Sequence, residues 1–318
     1  MKYRDTALDA VIKAARVCMA VQDQLIDVAN KADRSPVTVA DFAAQAIVSE
    51  LLHEAFPDIP LIGEEDAQTL RETEDICTKV VSVVQQVLPH LKRDEILAAI
   101  DRGTYQGGAK GIHWTLDPID GTKGFLRREQ YAVALALIKD GEVIFGVLAC
   151  PNMPHDLADP SQGTGSLFYA AKESQTFFRP LFGNKDTVVS VKEKPFRFCE
   201  SVEKSHSSHS LSAQIARAAG IKEAPIRMDS QAKYALVAQG QAAIYMRMPT
   251  RADYVEKIWD HAAGWIVITR AGGVVTDIDG KELDFSCGRR LENNRGILAT
   301  CGQNVHEKLL SIISQLST

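Results

Sequence analysis

Apolar residues recur at helical spacing from the start of the chain. Leu8, Val11, Ile12, Ala15, Cys18, Met19, Gln22 and Ile26 fall on one stripe, which predicts a long first helix over residues 5–29. After a polar loop from Lys31 to Pro36, a second helix is expected from Asp41 to Phe56, with Ala44, Ile47, Val48, Leu51 and Leu52 facing inward. Asp41 then reads most simply as its N-cap. Pro57 and Pro60 end that helix, and Leu61-Ile62-Gly63 is a short buried strand running into Glu64, Glu65 and Asp66. Helices over 75–88 and 92–99 precede a glycine-rich loop at 101–110. His113 to Leu116 has the look of a strand about to end, and Pro118 disfavours helix at Asp117, so that carboxylate leaves the strand in extended backbone. Tyr131–Lys139 and Glu142–Cys150 form a hairpin about Asp140-Gly141.

The second half continues the alternation. Strands are expected at 166–171, 197–201, 242–248, 274–277 and 296–300, and helices at 211–219, 230–238 and 305–316. A further helix opens in Trp259-Asp260-His261-Ala262-Ala263-Gly264, whose small residues allow close packing, and closes at Ala271-Gly272-Gly273. The polar connection from Pro151 to Gly165 is the candidate boundary between an N-terminal α+β subdomain, 1–155, and a C-terminal α/β subdomain, 156–318. Alternating helices and strands without repeats predict a layered α/β or α+β fold whose two halves share one site.

Composition narrows the classes. A chain of 318 residues, 45% hydrophobic and 24% charged, can bury a large core. A net charge of −5 argues against a nucleic-acid polymer as partner, but not against a small phosphorylated substrate, because bound cations reverse the local charge. The six cysteines are far apart with no Cys-x-x-Cys, so they are read as reduced and mostly buried, with no disulfide framework or zinc site. No apolar run approaches the ~20 residues of a membrane span, and residues 1–9 lack a signal-peptide core. A cytoplasmic protein is expected.

The chemistry concentrates at Asp117 and Asp120, two carboxylates three residues apart followed by Gly121-Thr122. Carboxylates suit hard cations such as magnesium, and metals about 4 Å apart serve phosphoryl displacement. The free N–H groups of the Gly-Thr turn could face an anion. Asp-Pro and Asp-Gly can equally be two ordinary turns. Glu64, Glu65 and Asp66 read either as a solvated charge run or, at a strand end, as part of a site.

Four segments taken together resemble a known family. Val39-Ala40-Asp41, Ile62-Gly63-Glu64-Glu65-Asp66, Asp117-Pro118-Ile119-Asp120-Gly121-Thr122 and Trp259-Asp260-His261-Ala262-Ala263-Gly264 are similar, in that order, to the lithium-sensitive, magnesium-dependent phosphatase superfamily of inositol monophosphatases and fructose-1,6-bisphosphatases. The resemblance spans essentially the whole chain. Within it, the continuation Lys123-Gly124-Phe125-Leu126-Arg127 and the long interval from Glu64 to Asp117 resemble the 3′(2′),5′-bisphosphate nucleotidase branch; inositol monophosphatases usually carry Asn before the Phe. The segments His206-Ser207-Ser208-His209 and Asp229-Ser230-Gln231-Ala232-Lys233-Tyr234, with Arg247, match those that hold the nucleotide in that branch.

The resemblance implies a role for each matching residue. Glu64, Asp117 and the Ile119 carbonyl would hold one magnesium; Asp117, Asp120 and Asp260 a second; and a third, weaker ion would lie near Glu64. Asp41 and Thr122 would orient and deprotonate the attacking water. Gly121, Thr122, His206, Ser230, Lys233 and Arg247 would bind the substrate, with His209 an alternative to His206; Glu65 and Asp66 are expected outside the ligand set. The implied activity is removal of the 3′-phosphate of adenosine 3′,5′-bisphosphate by a monomer inhibited by lithium. The alternatives are an inositol monophosphatase-like sugar phosphatase and a nucleotide-binding regulator without turnover.

Overall fold

The computed structural model describes residues 2–24, 35–203, 209–249, 251 and 253–316. Its helices are α1 (Arg4–Gln24), α2 (Ser35–Ala55), α3 (Gln68–Glu72), α4 (Glu74–Gln85), α5 (Arg93–Asp101), α6 (Thr122–Arg127), α7 (His209–Ala219), α8 (Ala232–Ala238), α9 (Ala262–Arg270) and α10 (Gln303–Leu316). One sheet runs in sequence order through β1 (Leu61–Gly63), β2 (Ile112–Asp120), β3 (Ala132–Lys139), β4 (Glu142–Pro154), β5 (Thr164–Ala171), β6 (Thr176–Pro180) and β7 (Thr187–Val189). Another comprises β8 (Phe198–Glu200), β9 (Ile226–Arg227), β10 (Ile244–Arg247), β11 (Val274–Thr276) and β12 (Ile297–Thr300), in the order β11-β12-β10-β8-β9.

The alternating faces of these sheets decide the layering. Ala7, Val11 and Cys18 of α1 and Ala43 and Ile47 of α2 share a core with Trp114, Leu116, Leu135 and Leu137 on one face of the large sheet. The other face, carrying Ala132, Ala134, Ala136 and Ile138, packs on α8 and α9, which also meet Tyr245, Ile297 and Ala299 of the second sheet. Ile215 of α7 and Leu309 and Ile313 of α10 cover the outer face of that sheet at Ile244, Met246 and Leu298. The result is five layers, helix–sheet–helix–sheet–helix, and the expected layered α/β fold. Every residue of α8 is buried, and each large aliphatic side chain so placed contributes about 1.5–3 kcal/mol. Small residues permit the middle layer: a Cβ on Gly146 would stand 2.5 Å from Ile266, and one on Gly264 2.3 Å from the Tyr234 ring.

Several expectations are corrected. α2 begins at Ser35 rather than Asp41, because Pro36 is tolerated in a first helical turn, so Asp41 lies inside the helix and is not its N-cap. β2 does not end before Asp117 but continues to Asp120. β4 runs to Pro154 rather than ending at Cys150, and pairs with β5 through Pro154 and Thr164. The expected first helix is described as far as Gln24; its continuation to residue 29 lies outside the described residues. All six cysteines are free, four of them buried.

Candidate active site

The carboxylates meet because of how β1, β2 and β3 are registered. β1 pairs parallel with β2, Gly63 opposite Leu116, so Glu64 and Asp117 emerge together at the same end of the sheet. In β2, Asp117 pairs with Ala134 and Asp120 with Ala132, three steps on one strand against two on the other. That bulge, at Pro118, changes the alternation. Ala132 and Ala134 lie on one face, so Asp117 and Asp120 share it despite their odd spacing, while Ile119 turns into the opposite core. Asp260 arrives on the turn that precedes α9, and Asp41 stands on α2 behind Glu64 and Glu65.

Crowding shows in the proton affinities. Burial pushes Asp41 well above the ordinary carboxylate range, with Glu65 and Glu64 adding to it. Burial does the same to Asp117, followed by the charges of Glu64, Asp120 and Asp260. Glu64 keeps an exposed edge, yet its carboxyl is pushed up to about 8, by desolvation first and then by Asp260, Glu65 and Asp120. Asp260 is pushed up to about 6 by burial, against the lowering influence of His261 and Arg247. Oδ1 of Asp117 is buried without a hydrogen-bond partner. A converging set of oxygen donors with an orphaned lone pair fits a divalent cation, whose charge would relieve the repulsion.

Glu64, Asp117, Asp120 and Asp260 border a cavity of about 270 Å³ whose lining also includes Ile119, Gly121, Thr122, Ser230, Lys233, Tyr245 and Arg247; Asp41 is not among the lining residues. Gly121 has φ +89°, and a Cβ there would come 3.0 Å from Ser230 Cβ, so its lack of a side chain lets the Ser230 loop close on it. Ser230 itself has a positive φ of 67° and accepts a hydrogen bond from Ala232 N through Oγ. Thr122 opens α6 and directs its hydroxyl to the Ile119 carbonyl at 3.5 Å. Lys233 is buried, and its ammonium donates to the carbonyls of Met228 (3.1 Å) and Ser230 (2.7 Å), so it clamps the loop as well as bordering the cavity. His206 lies outside the described residues; His209 begins α7.

Sequence reasoning missed the residues that hold these groups in place. Glu256 accepts from Arg247 Nε at 2.8 Å and pairs with His261 Nε2 at 3.2 Å, while His261 Nδ1 meets the Tyr234 hydroxyl at 2.9 Å. Acceptor atoms of Glu256, Asp260 and His261 cluster within 4.8 Å, but with Glu256 and His261 engaged in this chain, Asp260 is the member that borders the cavity. Arg247 also reaches the Tyr254 hydroxyl at 3.3 Å. Gln231 joins three segments: its N–H donates to Asp120 at 2.5 Å, its amide to the Trp259 carbonyl at 2.8 Å, and it accepts from Gly264 N at 3.0 Å. Lys123 and Arg127 bind Glu203, and Arg127 also pairs with Asp229, so the basic residues after Thr122 fasten the cavity wall. A lone Glu four residues before Asp260 gives no sequence signal of this kind.

Residues 2–318 match the model of the inositol monophosphatase family. The chain is 40% identical to a 3′(2′),5′-bisphosphate nucleotidase of Schizosaccharomyces pombe, covering 99% of this chain and 96% of that protein. It is 45% identical to 3′(2′),5′-bisphosphate nucleotidase 1 of Arabidopsis thaliana, covering 85% and 84%. Its fold is also that of a solved inositol monophosphatase from Anabaena (Nostoc) sp. PCC 7120, with TM-score 0.62, 20% identity and coverage of 98% and 95%. With its carboxylates gathered at one end of a five-layered fold and its sequence matched along nearly its full length, the chain belongs to the inositol monophosphatase family.

Proposed function

We propose that this chain is a magnesium-dependent 3′(2′),5′-bisphosphate nucleotidase that converts adenosine 3′,5′-bisphosphate to AMP and phosphate. The reading extends to adenosine 3′-phosphate 5′-phosphosulfate and inositol 1,4-bisphosphate, to a monomeric enzyme, and to inhibition by lithium. The observation that carries it is a cavity lined both by the carboxylates of Glu64, Asp117, Asp120 and Asp260 and by the basic side chains of Lys233 and Arg247. A substrate with two anionic groups fits that polarity, cations covering one and a guanidinium fork the other. Similarity to nucleotidases over nearly the full length favours the nucleotide over an inositol phosphate.

Glu64, Asp117, the Ile119 carbonyl, Asp120 and Asp260 would hold two magnesium ions, and Glu64 would also serve a third. When bound, the ions lower the pKa of the attacking water and offset charge on the phosphate oxygens. Asp41, with the Thr122 hydroxyl as relay, takes the proton of that water. Gly121 and Thr122 border the phosphate that leaves, and Arg247, Lys233, Ser230 and His206 orient the rest of the nucleotide. This positioning aligns the water in line with the ester.

Phosphate release measured in parallel from adenosine 3′,5′-bisphosphate, 3′-AMP and inositol 1-phosphate tests the assignment. The bisphosphate is expected to have the highest kcat/KM; a preference for inositol 1-phosphate overturns it. Asp41→Ala is expected to lose most activity yet retain nucleotide affinity. Undiminished turnover would remove Asp41 from the chemistry.

A further inference from the structure

Arg289 lies outside the cavity and outside every motif noted above, yet its side chain crosses from one half of the chain to the other. Nη2 donates to the Gly63 carbonyl at 2.6 Å, and Nη1 to the carbonyls of Gly103 (3.0 Å) and Tyr105 (3.1 Å). Its guanidinium lies over the Trp259 ring, 4.8 Å from the centroid. Its own carbonyl accepts from Ile258 N at 3.2 Å, and the next residue, Arg290, bridges Lys257. Gly63 is the residue before Glu64, and Trp259 the residue before Asp260. One side chain therefore grips the backbone beside one acid and the ring beside another, acids that the chain separates by almost two hundred positions.

The surroundings make this grip hard to replace. A Cβ on Gly288 would stand 2.8 Å from the Gln106 carbonyl, so the loop after α5 lies directly on the backbone next to Arg289. That glycine-rich loop is fastened at Gly103 and Tyr105 by the same guanidinium. Three carbonyls in different directions match the planar fork of Arg; a Lys ammonium can satisfy only part of the set. The nearby negative charges that face the guanidinium are Asp66 and Glu64, so its charge also moderates the acidic cluster.

We propose that Arg289 is a positioning residue that fixes the spacing of Glu64 and Asp260 and thereby sets the affinity of the adjoining cation sites they serve, without touching cation or substrate. This inference rests on the reading of those carboxylates as metal ligands. Groups that orient ligands from behind change metal affinity by about 10–100-fold when removed. The experiment is calorimetric titration of magnesium into the full-length, metal-stripped protein as wild type, Arg289→Lys, Arg289→Ala and Asp117→Asn, with circular dichroism to verify folding. Magnesium affinity is expected to fall about tenfold in Arg289→Lys and further in Arg289→Ala, while KM for the bisphosphate at saturating magnesium stays within about twofold of wild type. Folded Arg289→Lys with wild-type magnesium affinity overturns the proposal, whatever its melting temperature. Should Arg289→Ala not fold, Arg289→Lys alone decides. If neither wild type nor Asp117→Asn takes up magnesium, the metal reading itself fails and this inference with it; wild-type binding that Asp117→Asn abolishes isolates the role of Arg289.

Discussion

Replacing Asp260 by Asn should make the metal-free protein more stable at neutral pH, although the residue borders the site. Burial raises the Asp260 carboxyl from an ordinary 3.8 to about 6, with Asp120 and Glu256 adding to the rise and His261 and Arg247 opposing it. A carboxyl whose affinity for protons is higher folded than unfolded loses stability as pH rises between those two values, and the loss persists above them. A gap of about two pH units corresponds to about 3 kcal/mol, an upper figure because neighbouring acids titrate together. Urea denaturation followed by circular dichroism in EDTA, at about pH 4 and about pH 7.5, measures it. Near pH 4 the two proteins should agree closely. At the higher pH Asp260→Asn should be the more stable, by about 2–3 kcal/mol. Magnesium at about 1,000 times its Kd should reverse the order, adding about 4.1 kcal/mol to wild type and little to a variant lacking the ligand. Asp260→Asn proving less stable than wild type in EDTA at neutral pH would refute the claim that uncompensated carboxylates strain the site.

Two further substitutions probe the supports. A Cβ at Gly124 would lie 2.1 Å from the Gln130 carbonyl and 3.0 Å from Asp229, so Gly124→Ala should cost about 1–3 kcal/mol in a denaturation experiment; an unchanged midpoint would show that the 129–130 turn yields freely. Glu256→Gln keeps the shape of the chain from Arg247 to Tyr234 but removes the buried charge that faces Arg247 and His261. It should lower stability by about 1–3 kcal/mol and raise KM for the bisphosphate more than for 3′-AMP, and its effect should be less than additive with Arg247→Ala. Additive losses would mean that Glu256 does not act through Arg247.

The motifs themselves were legible because their chemistry is local. Asp117-Pro118-Ile119-Asp120-Gly121-Thr122 and Trp259-Asp260-His261-Ala262-Ala263-Gly264 announce oxygen donors, turns and a closely packed helix start within a few residues each. Gly264 duly allows α9 to approach the Tyr234 ring. The layered fold followed from hydrophobic periodicity, which depends only on which face of an element is buried. Element ends were less legible: Pro36 looked like loop but sits in the first turn of α2, and Pro118 looked like a strand stop but marks a bulge.

Tertiary structure alone decided how the pieces meet. That Asp117 and Asp120 face the same way depends on pairing with Ala134 and Ala132 of another strand, which three-residue spacing in one strand does not reveal. That Glu256 holds Arg247, that Lys233 spends two donors on the Ser230 loop, and that Arg289 reaches Gly63 are facts about partners far apart in the chain. Side chains that carry chemistry belong to short patterns, whereas those that aim them satisfy whatever backbone carbonyl or charge the completed fold brings within hydrogen-bond range, so the first kind is written in the sequence and the second only in the packing.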